Sequence, residues 1–331
     1  MRVLVTGSSG HLGEALVRTL KAQGREVIGI DHRPGAFTHQ VGSITDRRFI
    51  RNAMPDVTAV LHAATLHKPH VATHSRQAFV DTNITGTLNL LEEASAADVT
   101  AFVYTSTTSV FGDALVPPAG QPAAWITEDV TPVPKNIYGV TKAAAEDLCR
   151  LFARNHALPV VVLRVARFFP EQDDDAGMRA SHADANIKIN EFLYRRVDIE
   201  DVVDAHLNAI AHAPAAGFAT YIISATSPFS RDDAAELRSD APRVVRRYVP
   251  DYEQEYARRG WSMFPGIDRV YVNAKARAEL GWRPRHDFRA LLARLQHDED
   301  LSSPLARAIG HKGYHDRAFA NRPYPVDTDR T

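Results

Sequence analysis

Hydrophobic positions in the first half of the chain fall into short β-branched runs, separated by longer stretches whose apolar residues recur at helical spacing. Residues 2–6, Arg-Val-Leu-Val-Thr, predict a strand, 11–23 a helix, and 26–30 a second strand that ends at Asp31. Residues 57–62 and 101–105 predict two more strands, with a helix over 76–97 between them. The next helix is expected from about Tyr138 to Asn155, and 159–164 reads as another buried strand. Such alternation argues an α/β fold built on a doubly wound parallel sheet with right-handed crossovers. Ligands of such sheets bind beyond the carboxyl ends of the strands.

After Arg167 the rhythm changes. An acidic loop over 171–175 precedes polar sequence, and the stretch from Val197 to Leu207 has helical spacing. Tyr221-Ile-Ile-Ser224 reads as a strand returning to the sheet. The expected division is therefore a nucleotide-binding domain over 1–167 and a smaller, interleaved substrate lobe over 168–331. From Leu301 a tail containing Gly313-Tyr-His and Arg322-Pro-Tyr-Pro shows little periodicity. Two readings stay open for it, an arm that packs on a neighbour and a loosely held terminus.

Composition narrows the function classes. With 331 residues and 44% hydrophobic content the chain can bury a large core. Its 39 basic and 40 acidic residues leave a formal charge of −1, so no global field draws it to nucleic acid or anionic lipid. Cys149 is the sole cysteine, which excludes an intrachain disulfide and fits a reducing compartment. The strand pattern begins at once, and no uncharged run approaches the roughly 20 residues of a membrane span. These features read as a cytoplasmic protein.

Candidate chemistry sits at three places. Gly7, Gly10 and Gly13 form a GxxGxxG turn between the first strand and helix, suited to bring a dinucleotide's phosphates onto the helix N-terminus. The competing reading is a glycine-rich turn without a ligand. Asp31 follows Gly13 by 18 positions at the end of the second strand, where a carboxylate accepts hydrogen bonds from the adenosine ribose. It repels a 2′-phosphate and so favours NAD over NADP, although Arg33 nearby pulls the other way. Tyr138 and Lys142, four positions apart on one helix, place an acid and a cation on a common face.

These residues, with Val60-Leu-His-Ala-Ala64, Asp81-Thr-Asn83 and Tyr104-Thr-Ser-Thr-Thr-Ser-Val-Phe-Gly112, resemble the extended short-chain dehydrogenase/reductase family. More narrowly, they are similar to its NAD-dependent epimerase/dehydratase branch, typified by UDP-galactose 4-epimerase. The likeness runs over about residues 1–165 and returns in Arg196-Val-Asp-Ile-Glu-Asp-Val. It implies a Rossmann-type domain, an NAD cofactor and a homodimer formed by the 76–97 and 138–155 helices. Ala143-Ala-Ala145 offers small residues for that contact, and packing on the sheet explains them equally. The resemblance further implies cofactor contacts at Gly7, Gly10, His11, Leu12, Gly13, Asp31, Ser43, Ile44, His62, Ala63, Ala64, Asn83 and Thr105, besides Tyr138 and Lys142. Tyr138 is then expected to exchange a proton with a substrate hydroxyl while hydride moves to or from nicotinamide. Lys142 would lower the tyrosine's pKa and hold the nicotinamide ribose, and Thr107, ahead of Ser106 and Thr108, would align the substrate oxygen.

Departures from the family pattern shape the substrate reading. Dehydratases of this branch carry an Asp-Glu pair after the catalytic threonine, because eliminating water needs its own acid and base. Thr108 and Ser109 stand there instead, which disfavours a 4,6-dehydratase. The 168–196 stretch is about half the length expected for enclosing a nucleotide sugar, and Arg167 replaces the usual asparagine. A smaller sugar, sugar acid or polyol is expected, as is a role for Arg167 in meeting its carboxylate or phosphate. Arg167 paired with the acidic run is the alternative. Of His62, His67, His70 and His74, no carboxylate spacing completes a metal site, and His67 or His70 is expected to line the substrate mouth with Thr108. The functional expectation is NAD-dependent oxidation or reduction at a secondary hydroxyl of a sugar or sugar derivative, as a sugar (nucleotide) epimerase or a dehydrogenase. A non-catalytic NAD-binding regulator or scaffold is the rival.

Overall fold

A computed structural model describes residues 1–313 and 315. Its centre is a seven-stranded, wholly parallel sheet in the order β3-β2-β1-β4-β5-β7-β8. The strands are β1 (Arg2–Thr6), β2 (Glu26–Asp31), β3 (Gln40–Val41), β4 (Val57–His62), β5 (Ala101–Thr107), β7 (Val160–Val165) and β8 (Phe218–Ile223). β6 (Ala124–Ile126) and β9 (Arg269–Tyr271) pair in a separate two-stranded sheet. Val3, Leu4 and Val5 of β1 and the β7 run Val160 to Leu163 are fully buried. Unbroken apolar strands like these belong to a parallel sheet covered on both faces.

One face is covered by α1 (His11–Ala22) and α8 (Ile199–Ala216). The other is covered by α2 (Arg47–Ala53), α4 (Gly86–Ala96) and α5 (Ile137–His156). The expected 76–97 helix is not continuous. α3 (Arg76–Phe79) leads into a π-helical turn, Val80–Thr85, before α4 begins, and such turns recur at functional sites. The chain reverses strand order between β1 and β4, and the main cleft opens at their carboxyl ends.

The lobe has its own core from α7 (Asp184–Glu191), α9 (Ala234–Ser239), α10 (Ala241–Tyr248), α11 (Tyr252–Arg259) and α13 (Phe288–Gln296). Two shorter helices are α6 (Ala176–Ser181) and α12 (Ala274–Glu279). Interleaving is deeper than the expected boundary at 167. Residues 199–223 return to the main sheet as α8 and β8, while β6, from within the first 167 residues, pairs with β9. Asp201 of α8 ties the lobe down, accepting the Arg285 and His286 backbone N–H groups at 2.8 and 3.0 Å. The tail is also more ordered than its pattern indicates. Ser303 caps α14 (Pro304–Ile309), which packs on α1 and α8, whereas the Arg322-Pro-Tyr-Pro segment lies outside the described residues. Among the described residues no helix is long and apolar enough to cross a membrane.

Candidate active site

The cleft has a volume of about 800 Å³ and runs from the glycine turn to the lobe. β1 delivers the turn. Gly7 has φ 74°, and a Cβ on Gly13 would lie 1.9 Å from the Gly7 carbonyl oxygen, so a side chain at Gly13 is excluded. Gly10 caps α1 without a side-chain hydrogen bond, which leaves the helix N-terminus facing the cleft with His11, Leu12 and Gly13 in its first turn. That is an anion cradle.

Asp31 closes β2 at the other end of the cradle. Its carboxylate accepts the Ser9 and Arg33 backbone N–H groups at 3.0 and 2.9 Å and touches His32 at 3.1 Å. Burial pushes its pKa up, but these hydrogen bonds outweigh it and hold Asp31 below the ordinary carboxylate value. Asp31 is thus ionised in the cleft wall beside Ser43 and Ile44.

Three expected cofactor residues, His62, Asn83 and Lys142, are buried and lie behind the wall. His62 is 1% exposed and sits in a relay: the Thr6 hydroxyl reaches its Nδ1 at 2.8 Å, and its Nε2 reaches Thr87 at 2.9 Å. Thr6 in turn accepts the Ala63 and Ala64 N–H groups, which fixes the backbone that lines the cleft. Asn83, in the π turn, accepts Leu66 N–H and Thr65 Oγ1–H and donates to Leu66 O and Thr141 Oγ1. The His62 and Asn83 side chains thus act on the wall from behind, fixing the backbone that lines the cleft.

Tyr138, Thr107 and Lys142 come together at the carboxyl end of β5. Asn136 caps α5 through the Gly139 N–H, so Tyr138 projects into the cleft from the first helical turn. Thr107 Oγ1 accepts the Ser109 N–H at 3.1 Å, which leaves its own proton for the Tyr138 phenol. Ser106 is spent on buried Glu146, which also pairs with Arg164, and Thr108 lines the cleft. Lys142 Nζ donates to Thr105 O at 2.6 Å and lies 4.0 Å from the Tyr104 ring centroid. The Thr105 hydroxyl bonds His206 of α8 at 2.8 Å.

The expected lowering of the tyrosine pKa by Lys142 does not describe this state. Burial pushes Tyr138 up to about 12, against the opposing Thr107 hydrogen bond, and pushes Lys142 down to about 7. The lysine ammonium is directed at a carbonyl and a ring face, and desolvation dominates both groups.

Arg167 is engaged by Asp173, by Asp174 at 2.9 Å and by Glu191 at 3.1 Å. The expected contact with a substrate anion is replaced by this ion-pair cluster, although Arg167 borders the cleft. Part of it was visible as the acidic run; Glu191 was not. His67, His70 and His74 all line the cleft, and burial, followed by the neighbouring cations, holds His67 well below the ordinary histidine value. The sequence reading missed Phe169, Glu171, Arg195, Arg269, Tyr271, Lys312 and Gly313 of the cleft wall. Arg269 and Tyr271 arrive on β9, whose three residues carry no periodic signal.

Residues 3–223 match the NAD dependent epimerase/dehydratase family. The chain belongs to this family. An uncharacterized protein of Sinorhizobium fredii is 33% identical over 166 residues, spanning 49% of this chain and 39% of that protein. A UDP-glucose 4-epimerase of Lactobacillus helveticus is 25% identical over 324 residues, 87% of this chain and 93% of that enzyme. A short-chain dehydrogenase/reductase superfamily protein from Agrobacterium tumefaciens with bound NAD superposes with a TM-score of 0.64 at 26% identity, covering 93% and 99% of the two chains. As a member of this family the chain uses NAD. The Gly7 and Gly13 cradle, the uncapped α1 N-terminus and ionised Asp31 fit that group.

Proposed function

We propose that this chain oxidises a secondary hydroxyl of a sugar or sugar derivative with Tyr138 as the base and returns the hydride to the opposite face, as an epimerase. The observation that supports this reading is the pairing of Tyr138 with Thr107 in the cleft, with Lys142 buried behind them on Thr105 O and no elimination acid in the wall beside them. Among the described residues of the cleft wall the carboxylates are Asp31 and Glu171, and both sit at the cofactor end. A dehydratase needs an acid and base of its own, and Thr108 and Ser109 supply neither.

NAD supplies the hydride acceptor. Thr107 donates to the substrate oxygen and holds it against Tyr138, and Tyr138 takes the hydroxyl proton as the phenolate. Lys142, one helical turn after Tyr138 and held by Thr105 O, supplies a cation on the same helix face when protonated. A small sugar, sugar acid or polyol is the substrate we read from the short 168–196 enclosure and from one cleft of about 800 Å³ that takes the dinucleotide as well. A dehydrogenase is the second reading, favoured by the short 168–196 enclosure, which leaves room for NADH to leave. Incubation with NAD and a panel of sugars separates them. Isomer exchange without NADH accumulation supports the epimerase, and net NADH absorbance supports the dehydrogenase. Tight NAD binding without turnover across the panel would instead favour a regulator.

A further inference from the structure

The chain that follows α14 crosses the mouth of the cofactor cleft. α14 roots it firmly: Ile309 is buried in the main core, and Leu305 N–H donates to Glu200 of α8 at 3.0 Å. Gly310, at φ 63°, ends the helix and turns the backbone toward the glycine loop. Lys312 then makes two contacts to the first turn of α1, its N–H to His11 Nε2 at 3.3 Å and its Nζ to Glu14 at 2.5 Å. Three residues later His315 Nε2 donates to Pro69 O at 2.9 Å, with its ring 5.4 Å from that of His70. Pro69 and His70 belong to the facing wall, and Lys312 and Gly313 themselves line the cleft.

A second segment reaches His11 from the lobe side. Phe169 sets its ring 5.5 Å from His11 and 5.3 Å from His67, and Glu171 lies 3.0 Å from His11 Nε2. The Arg167 and Lys68 ion pairs with Asp173 and Asp174 hold the base of this loop. Two chain segments thus converge on the helix turn that forms the phosphate cradle.

We propose that residues 310–313 with His315 form a strap that seals the bound dinucleotide into the cleft, so that the cofactor stays with the protein through the reaction. The strap's described contacts are polar and made by side chains and backbone outside the sheet, which makes its opening a local event that need not disturb the strands. Cofactor exchange is then limited by strap opening. Lys312 adds a cation at the helix end where the cofactor phosphates bind. Sealing itself rests only on dinucleotide binding. Its consequence, that the reduced cofactor remains to return its hydride, rests on the oxidation proposed for Tyr138.

The test is NADH release from the full-length protein, followed by stopped-flow fluorescence, beside the double variant Lys312→Ala/His315→Ala and a chain ended after Gly310. Both altered proteins keep α14, and circular dichroism checks their fold. Release at least tenfold faster in both supports the strap. Rates within twofold of the unaltered protein overturn it, as does acceleration in the shortened chain alone, which would place the effect beyond residue 315. Turnover of Tyr138→Phe with the sugar panel is read separately: retained turnover sinks the proton-transfer reading and leaves the release rates of the strap variants untouched, so the two failures give different results.

Discussion

At the scale of single residues, the site depends on groups whose protonation is set by burial. Tyr138→Phe removes the proton carrier and leaves the cradle intact. Turnover is expected to fall about 10²–10⁴-fold, measured by steady-state rates at saturating NAD. Lys142 gives a pH test. Its folded pKa of about 7 lies below the ordinary lysine value of 10.5, so between those limits the unfolded chain binds more protons and stability rises with pH. Below about pH 7 the ammonium is charged in both states and the full burial penalty applies. Lys142→Met is therefore expected to raise the melting temperature of the cofactor-free protein at pH 6–7, with the gain shrinking as pH approaches about 10. A gain that grows with pH would contradict the assigned direction. Tyr138, Lys142, Thr107 and Asp31 were legible because each stands at a fixed offset within a local motif. Phe169, Glu171 and Lys312 were not, since their roles arise from segments meeting at His11 across the cleft.

At the scale of elements, the five long strands of the first half were readable to within two residues because each is a largely apolar run buried on both faces. The π turn was invisible, since one extra residue per turn barely alters the apolar spacing of 76–97. Its effect is to aim Asn83 at the Thr65–Leu66 backbone. Asn83→Leu leaves those buried polar groups unpaired, a cost of about 1–3 kcal/mol. Chemical denaturation is expected to show that loss, and calorimetry an NAD affinity weaker on the order of tenfold. In the glycine turn, Gly13→Ala drives a methyl group into the Gly7 carbonyl, so a loss of about 1–3 kcal/mol and of measurable NAD binding is expected from the same two experiments. β3, β6 and β9 escaped the sequence reading because two or three residues carry no period.

At the scale of the whole molecule, α5 presents Val140 and Leu151 to solvent at 46% and 37% exposure, with partly buried Ala144 and Leu148 between them on the same face. Ala145, by contrast, is fully buried against the sheet. This outer stripe supports the homodimer proposed from the family resemblance. Light scattering is expected to show a dimer at micromolar concentration, and Val140→Glu to shift it to monomer with little change in melting temperature; a monomeric unaltered protein would refute the arrangement. The boundary at 167 followed the change of rhythm in the chain, but tertiary pairing ignores that point.

The β6–β9 pair has a consequence for synthesis. Every strand of the cofactor-binding sheet has been made by Ile223, whereas Arg269 and Tyr271 reach the far wall only when β9 finds β6, laid down long before. A nascent chain can thus form the sheet and its glycine turn while the wall carried by Arg269 and Tyr271, and the strap that follows α14, do not yet exist. The cleft is walled only late in synthesis and is closed over last of all.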